Sequence, residues 1–97
     1  MFNFSKASLE KMRGVHPNVV NFMNELIEES PYDFKITCGV RTAEEQNFEY
    51  QKGRTLLYDG KGNKLSKVTW CDGYKYKSKH QVKVDGYGYA VDIAILG

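Results

Sequence analysis

Three features of this 97-residue sequence predict an α+β fold, with N-terminal helices packed on a small, largely antiparallel sheet. An apolar stripe with helical spacing runs through residues 19–27. A strict apolar–polar alternation follows at Phe34-Lys35-Ile36-Thr37-Cys38. The most apolar stretch, residues 89–96, comes last and reads as the best central strand.

A short helix is predicted over 5–12. Ser5 can cap it, and Leu9 and Met12 are spaced i, i+3. Gly14-Val15-His16-Pro17 interrupts it, because proline disfavours helix in the residue before it. Asn18 can cap a second helix, in which Val19, Phe22, Met23, Leu26 and Ile27 form one face and Ser30-Pro31 the end. Phe34–Cys38 then reads as a strand with Cys38 on its apolar, core-facing side. Thr42-Ala43-Glu44-Glu45 is a capping box that opens a third helix, stopped by Gly53. Residues 54–66 form a loop with turn signals at Asp59-Gly60 and Gly62-Asn63. Val68-Thr69-Trp70 reads as a short strand, Asp72-Gly73 as a turn, and residues 82–87 as a hairpin turning at Asp85-Gly86.

The length fits a single domain, residues 1–97. Hydrophobic residues at 41% and charged residues at 27% are ordinary globular usage, which argues against wholesale disorder. No apolar run is long enough for a transmembrane helix, and Met1–Lys6 has no secretory pattern, so synthesis in the cytoplasm without a signal peptide is expected. Net charge is only +2 but uneven: residues 1–50 carry five Lys/Arg against eight Asp/Glu, residues 51–97 nine against four. Six of the seven tyrosines lie at position 50 or beyond, so the second half is a basic, tyrosine-rich surface. Two cysteines, Cys38 and Cys71, make no disulfide framework.

Three residues could carry chemistry. His80 lies in a polar stretch between strand-like segments, where a lone histidine is commonly a surface residue. Asp92 sits inside an apolar strand and shares a face with Ala90 and Ala94, which leave room beside the carboxylate. A carboxylate buried there needs a metal, an arginine or several amides. An imidazole and an aspartate oxygen suit zinc as two of three protein ligands, leaving an open fourth place. Arg41 lies between a strand and a capped helix, where a guanidinium can hold a carboxylate by two parallel hydrogen bonds. Gln46, one turn into that helix, could support the same pocket or be a solvated helix residue.

The series Gly39-Val40-Arg41-Thr42-Ala43-Glu44-Glu45-Gln46, Gly53-Arg54-Thr55, Ser78-Lys79-His80 and Gly88-Tyr89-Ala90-Val91-Asp92 resembles the zinc D-alanyl-D-alanine carboxypeptidase and L-alanyl-D-glutamate endopeptidase family of the VanY type. More narrowly it is similar to phage endolysins of that family, over roughly residues 5–96. The resemblance implies a Hedgehog/DD-peptidase-like fold and a zinc peptidase that cuts the peptide stems of bacterial peptidoglycan, acting on the wall after release. It implies that His80 and Asp92 are zinc ligands, that Arg41 binds substrate carboxylate or steadies the transition state, and that Ser78 and Gln46 support the pocket. His16 matches no ligand and is expected to pack or cap near the second helix.

Two departures from the family pattern shape the expectation. Eleven residues separate His80 from Asp92, more than the family usually has; a hairpin at Asp85-Gly86 would absorb the excess. The family's third zinc ligand and general base follow the aspartate at a distance, whereas this sequence ends at Gly97. A C-terminally incomplete peptidase domain is therefore expected, with a non-catalytic wall- or partner-binding remnant of the same fold as the alternative. Trp70 and the tyrosines interleaved with lysines at 74–89 could also suit single-stranded nucleic acid. The small net charge argues against that partner, and neither nucleic acid nor membrane is expected.

Overall fold

The structure is a computed structural model that describes residues 1–96. Three helices and two strands follow in the order α1 (Lys6–Lys11), α2 (Pro17–Glu29), β1 (Phe34–Cys38), α3 (Ala43–Gln51) and β2 (Asp92–Ile95). The α+β class is as the sequence predicts. Among the described residues the sheet has two strands, paired antiparallel, so β2 is an edge rather than a central strand. No helix among them is long and apolar enough to cross a membrane.

Each helix starts where a side chain can take up orphan backbone N–H groups. Ser5 accepts from Ser8 N at the head of α1. At α2 the cap is His16, not Asn18: its Nδ1 accepts from Asn18 N at 3.1 Å, and Pro17 occupies the first helical turn, where its missing N–H costs nothing. Thr42 and Glu45 close the capping box of α3 from both sides. The Thr42 amide and hydroxyl hold the Glu45 carboxyl below its ordinary range.

The core is formed by Met12, Val15, Met23, Ile27, Phe34 and Ile36, with Phe4 packed edge-on against Phe34. α2 contributes Met23 and Ile27, one turn apart, while Phe22 and Leu26 stay exposed on the flank of the stripe. Buried Ser8 of α1 accepts the amide of Ile36, tying that helix to β1.

The predicted strand at Val68–Trp70 and the predicted strand arms of the 82–87 hairpin are absent. Around Trp70 the segment bonds to α3 instead of a ladder: Gln46 Nε2 donates to the Cys71 carbonyl and the Thr69 hydroxyl, and Asn47 Nδ2 to the Asp72 carbonyl. The turn at Asp72-Gly73 does form. Asp72 accepts the amides of Tyr76, Tyr74 and Lys75, and these hold its carboxyl low, Tyr76 first. At 82–87 the hairpin turn is present, with Lys83 N donating to Tyr87 O and Gly86 N to Lys83 O. Its flanks are not strands, because Val82 and Val84 are exposed and have no sheet to cover.

The long connection from His80 to Asp92 is tied at its base. Tyr89 N donates to Lys79 O at 2.8 Å, closing residues 80–88 into a loop. Gly88 exchanges backbone bonds with Gly14 and His16, and the His16 ring stacks on Tyr89 with its edge toward Tyr87. His16 therefore both caps α2 and anchors this loop. The extra residues bulge outward while the two ends stay together.

Candidate active site

The exit of β1 sets the site. Through Ile36 the ladder is regular, with Ile36 opposite Ile93; continued, it would set Thr37 opposite Asp92. A register shift between Ile36 and Cys38 puts Cys38 there instead. Cys38 is consequently half-buried beside Asp92 rather than in the core, where strand alternation alone would have it.

Gly39 and Arg41 then receive His80. The Gly39 carbonyl accepts from His80 Nδ1 at 2.7 Å, and the Arg41 amide donates to the His80 carbonyl at 2.9 Å. His80 is 8% exposed. Ser78 Oγ accepts the His80 amide, and the Gln81 side chain spans the turn, accepting from Ser78 N and donating to Gly73 O. The backbone of His80 is thus pinned on both sides by Arg41 and Ser78, and its ring is held by the Gly39 carbonyl.

A carbonyl can only accept, so Nδ1 carries the ring proton and Nε2 points at Asp92 Oδ1, 3.3 Å away. A neutral ring in that tautomer sets a lone pair against a carboxylate oxygen. Only a proton or another cation between them makes the contact favourable. Cys38 Sγ joins the pair: the donor atoms of Cys38, His80 and Asp92 all lie within 4.8 Å of one another. Nitrogen, oxygen and sulfur at that spacing form a donor set that zinc accepts.

Arg41 completes the group. Its Nη2 donates to Asp92 Oδ2 at 2.7 Å and its Nη1 to Gln46 Oε1 at 3.1 Å, with the side chain 16% exposed. Gln46 is fully buried. It is no solvated helix residue: it spends its amide on Thr69 and Cys71 and its carbonyl on Arg41. One side chain thereby aims the guanidinium and fixes the loop across from it. Asp92 departs from its expected burial, since its side chain is 48% exposed where it faces a cleft.

That cleft, about 360 Å³, is lined by Arg41, Glu49, Val68, Thr69, Ser78, His80 and Asp92. All five residues that the sequence singles out converge here: Arg41, Ser78, His80 and Asp92 on the wall, and Gln46 directly behind Arg41. Two others were not singled out for it. Cys38 is brought in by the register shift, which no residue pattern announces. Glu49 is three residues after Gln46 on the same face of α3, a spacing that could have found it. It pairs with Lys52 at 2.9 Å.

A family model for phage L-alanyl-D-glutamate peptidase matches residues 1–94. The chain belongs to that family. The match covers every residue of the cleft, and it agrees with the resemblance drawn from the Gly39–Gln46 and Ser78–Asp92 segments. No curated protein and no solved structure matches the chain. Membership in that family gives the chain its chemical class, that of a peptidase acting on peptidoglycan.

Proposed function

We propose that this protein is a zinc-dependent endolysin-type peptidase that cleaves the L-alanyl–D-glutamate bond in peptidoglycan stem peptides, reaching the wall after release from the cell that makes it. The single observation that carries the reading is the His80 Nε2–Asp92 Oδ1 contact at 3.3 Å, inside a cleft that also holds Arg41.

His80, Asp92 and Cys38 are the residues that would hold zinc. When bound, zinc supplies Lewis acidity, polarising a carbonyl and acidifying water. The rest is done by the chain. The Gly39 carbonyl, accepting from His80 Nδ1, fixes which nitrogen faces the cleft, while Ser78 Oγ holds the His80 amide, the kind of outer contacts that set ligand orientation. Arg41 uses two of its N–H groups on Gln46 and Asp92, and those left over bind the free α-carboxylate of the D-glutamyl residue or the developing oxyanion. Asp92 has both oxygens engaged. Glu49, held only by Lys52 outside the cleft wall, is the carboxylate that takes the proton from the attacking water and returns it to the departing amine.

The test is hydrolysis of N-acetyl-L-alanyl-γ-D-glutamyl-L-lysine by the purified protein, followed by mass spectrometry of the products. The expected result is release of N-acetyl-L-alanine, abolished by EDTA and restored by zinc. Hydrolysis that EDTA leaves untouched contradicts the metal. No hydrolysis, together with wall binding that survives EDTA, favours the non-catalytic wall-binding alternative.

A further inference from the structure

Trp70 is the only tryptophan in the chain, and it is 78% exposed. Its surroundings are not those of a loose surface loop. The residues on either side, Thr69 and Cys71, are both bonded to buried Gln46, and Cys71 N donates back to Thr69 Oγ1. The backbone is fixed at the cleft wall and the indole projects into solvent. Arg54 stands 5.4 Å from the indole and 3.8 Å from the Tyr50 ring, and its guanidinium donates to the Tyr50 carbonyl. Lys67 lies 5.9 Å from the indole on its own account. A largely exposed indole with two cationic donors over its ring thus adjoins Val68 and Thr69, which line the cleft.

The proposed substrate says what such a face would meet. In a stem peptide the L-alanine is joined through a lactyl group to the ring of N-acetylmuramic acid. The scissile bond is therefore about two chain units, roughly 7 Å, from a sugar. An enzyme that cuts there brings that ring to the rim of its cleft. Sugar rings present C–H faces that pack on indole, and hydroxyl and acetamido oxygens that accept from arginine and lysine.

We infer that Trp70, with Arg54 and Lys67, forms a subsite for the N-acetylmuramyl sugar next to the scissile bond. The inference rests on the stem-peptide reading of the cleft. It makes the protein a reader of glycan-attached stems over free peptides.

The lone tryptophan is its own probe. Its fluorescence is titrated in EDTA, which stops turnover, with N-acetylmuramyl-L-alanyl-γ-D-glutamyl-L-lysine and with the same tripeptide carrying an acetyl group in place of the sugar. A saturable change with the muramyl ligand, at roughly tenfold lower concentration than any change with the acetyl ligand, is expected. Calorimetry on Trp70→Ala then shows the two ligands binding within about twofold of each other, and Trp70→Phe restores part of the preference. Equal affinities for the two ligands in the unsubstituted protein, or an unchanged preference in Trp70→Ala, overturn the subsite. The titration needs no catalysis, so loss of the peptidase reading and loss of the sugar subsite are separate results. Equal hydrolysis of both ligands with a silent Trp70 would remove the subsite alone.

Discussion

Replacing His80 with alanine is expected to lower kcat/KM on the acetylated tripeptide by more than about 100-fold. That is the upper range for losing a partner one shell out from a metal, and His80 is the proposed ligand itself. The reason is geometric. His80 is the one residue that meets the cleft from the long loop, and its ring is held by Gly39 so that Nε2 faces Asp92. Removing the ring leaves Asp92 paired with Arg41 alone, and a cation there then has one carboxylate and one thiol. The fold should survive, because the loop is closed by Tyr89 N to Lys79 O and by the Gly88 bonds, none of which uses the imidazole. Circular dichroism alongside the kinetics separates the two effects. A variant that is folded and still active would take His80 out of the site.

Gly39→Ala is expected to cost the most stability. A Cβ at Gly39 would lie 2.0 Å from the carbonyl oxygen of Lys11, the last residue of α1, and 3.3 Å from Val15 Cγ2. The obstacle is backbone, so α1 and the end of β1 must separate. Overpacking of this kind costs about 3 kcal/mol or more, out of a total of roughly 5–15 kcal/mol for a domain. At about 4–8 °C per kcal/mol the melting temperature should fall by about 12 °C or more. Activity should fall with it, since the Gly39 carbonyl is what holds His80 Nδ1. Gly60→Ala is the control: nothing lies within 4 Å of its would-be Cβ. A thermal melt that shifts equally for both variants would contradict the close approach of α1 to the β1 exit.

The helices were legible because their signals are local. Ser5, Thr42 and Glu45 cap where the residue pattern puts them, and the i, i+4 rhythm of α2 buries Met23 and Ile27. What misled was alternation in segments with no sheet to join. Val68–Trp70 looks like a strand by composition, but the segment is held to α3 instead: Gln46 and Asn47, two side chains from a helix some twenty residues earlier, bond the Thr69 hydroxyl and the carbonyls of Cys71 and Asp72 just after it. Val82 and Val84 alternate too, yet face water. In the site, Arg41, His80 and Asp92 could be named from residue type and motif. Cys38 could not, because its place depends on a register shift between β1 and β2, a tertiary event that one strand's sequence does not encode. Gln46 could be named, but its burial follows from what packs over α3.

The central claim is that Cys38, His80 and Asp92 form one metal site in a peptidase cleft. Its most direct test is zinc per chain, measured by mass spectrometry on purified protein beside a His80→Ala, Asp92→Ala double variant and Cys38→Ser. About one zinc in the unsubstituted protein, none in the double variant and a weakened complement in Cys38→Ser is the predicted result. No zinc in the unsubstituted protein after exposure to the ion, or as much in the double variant, would contradict it.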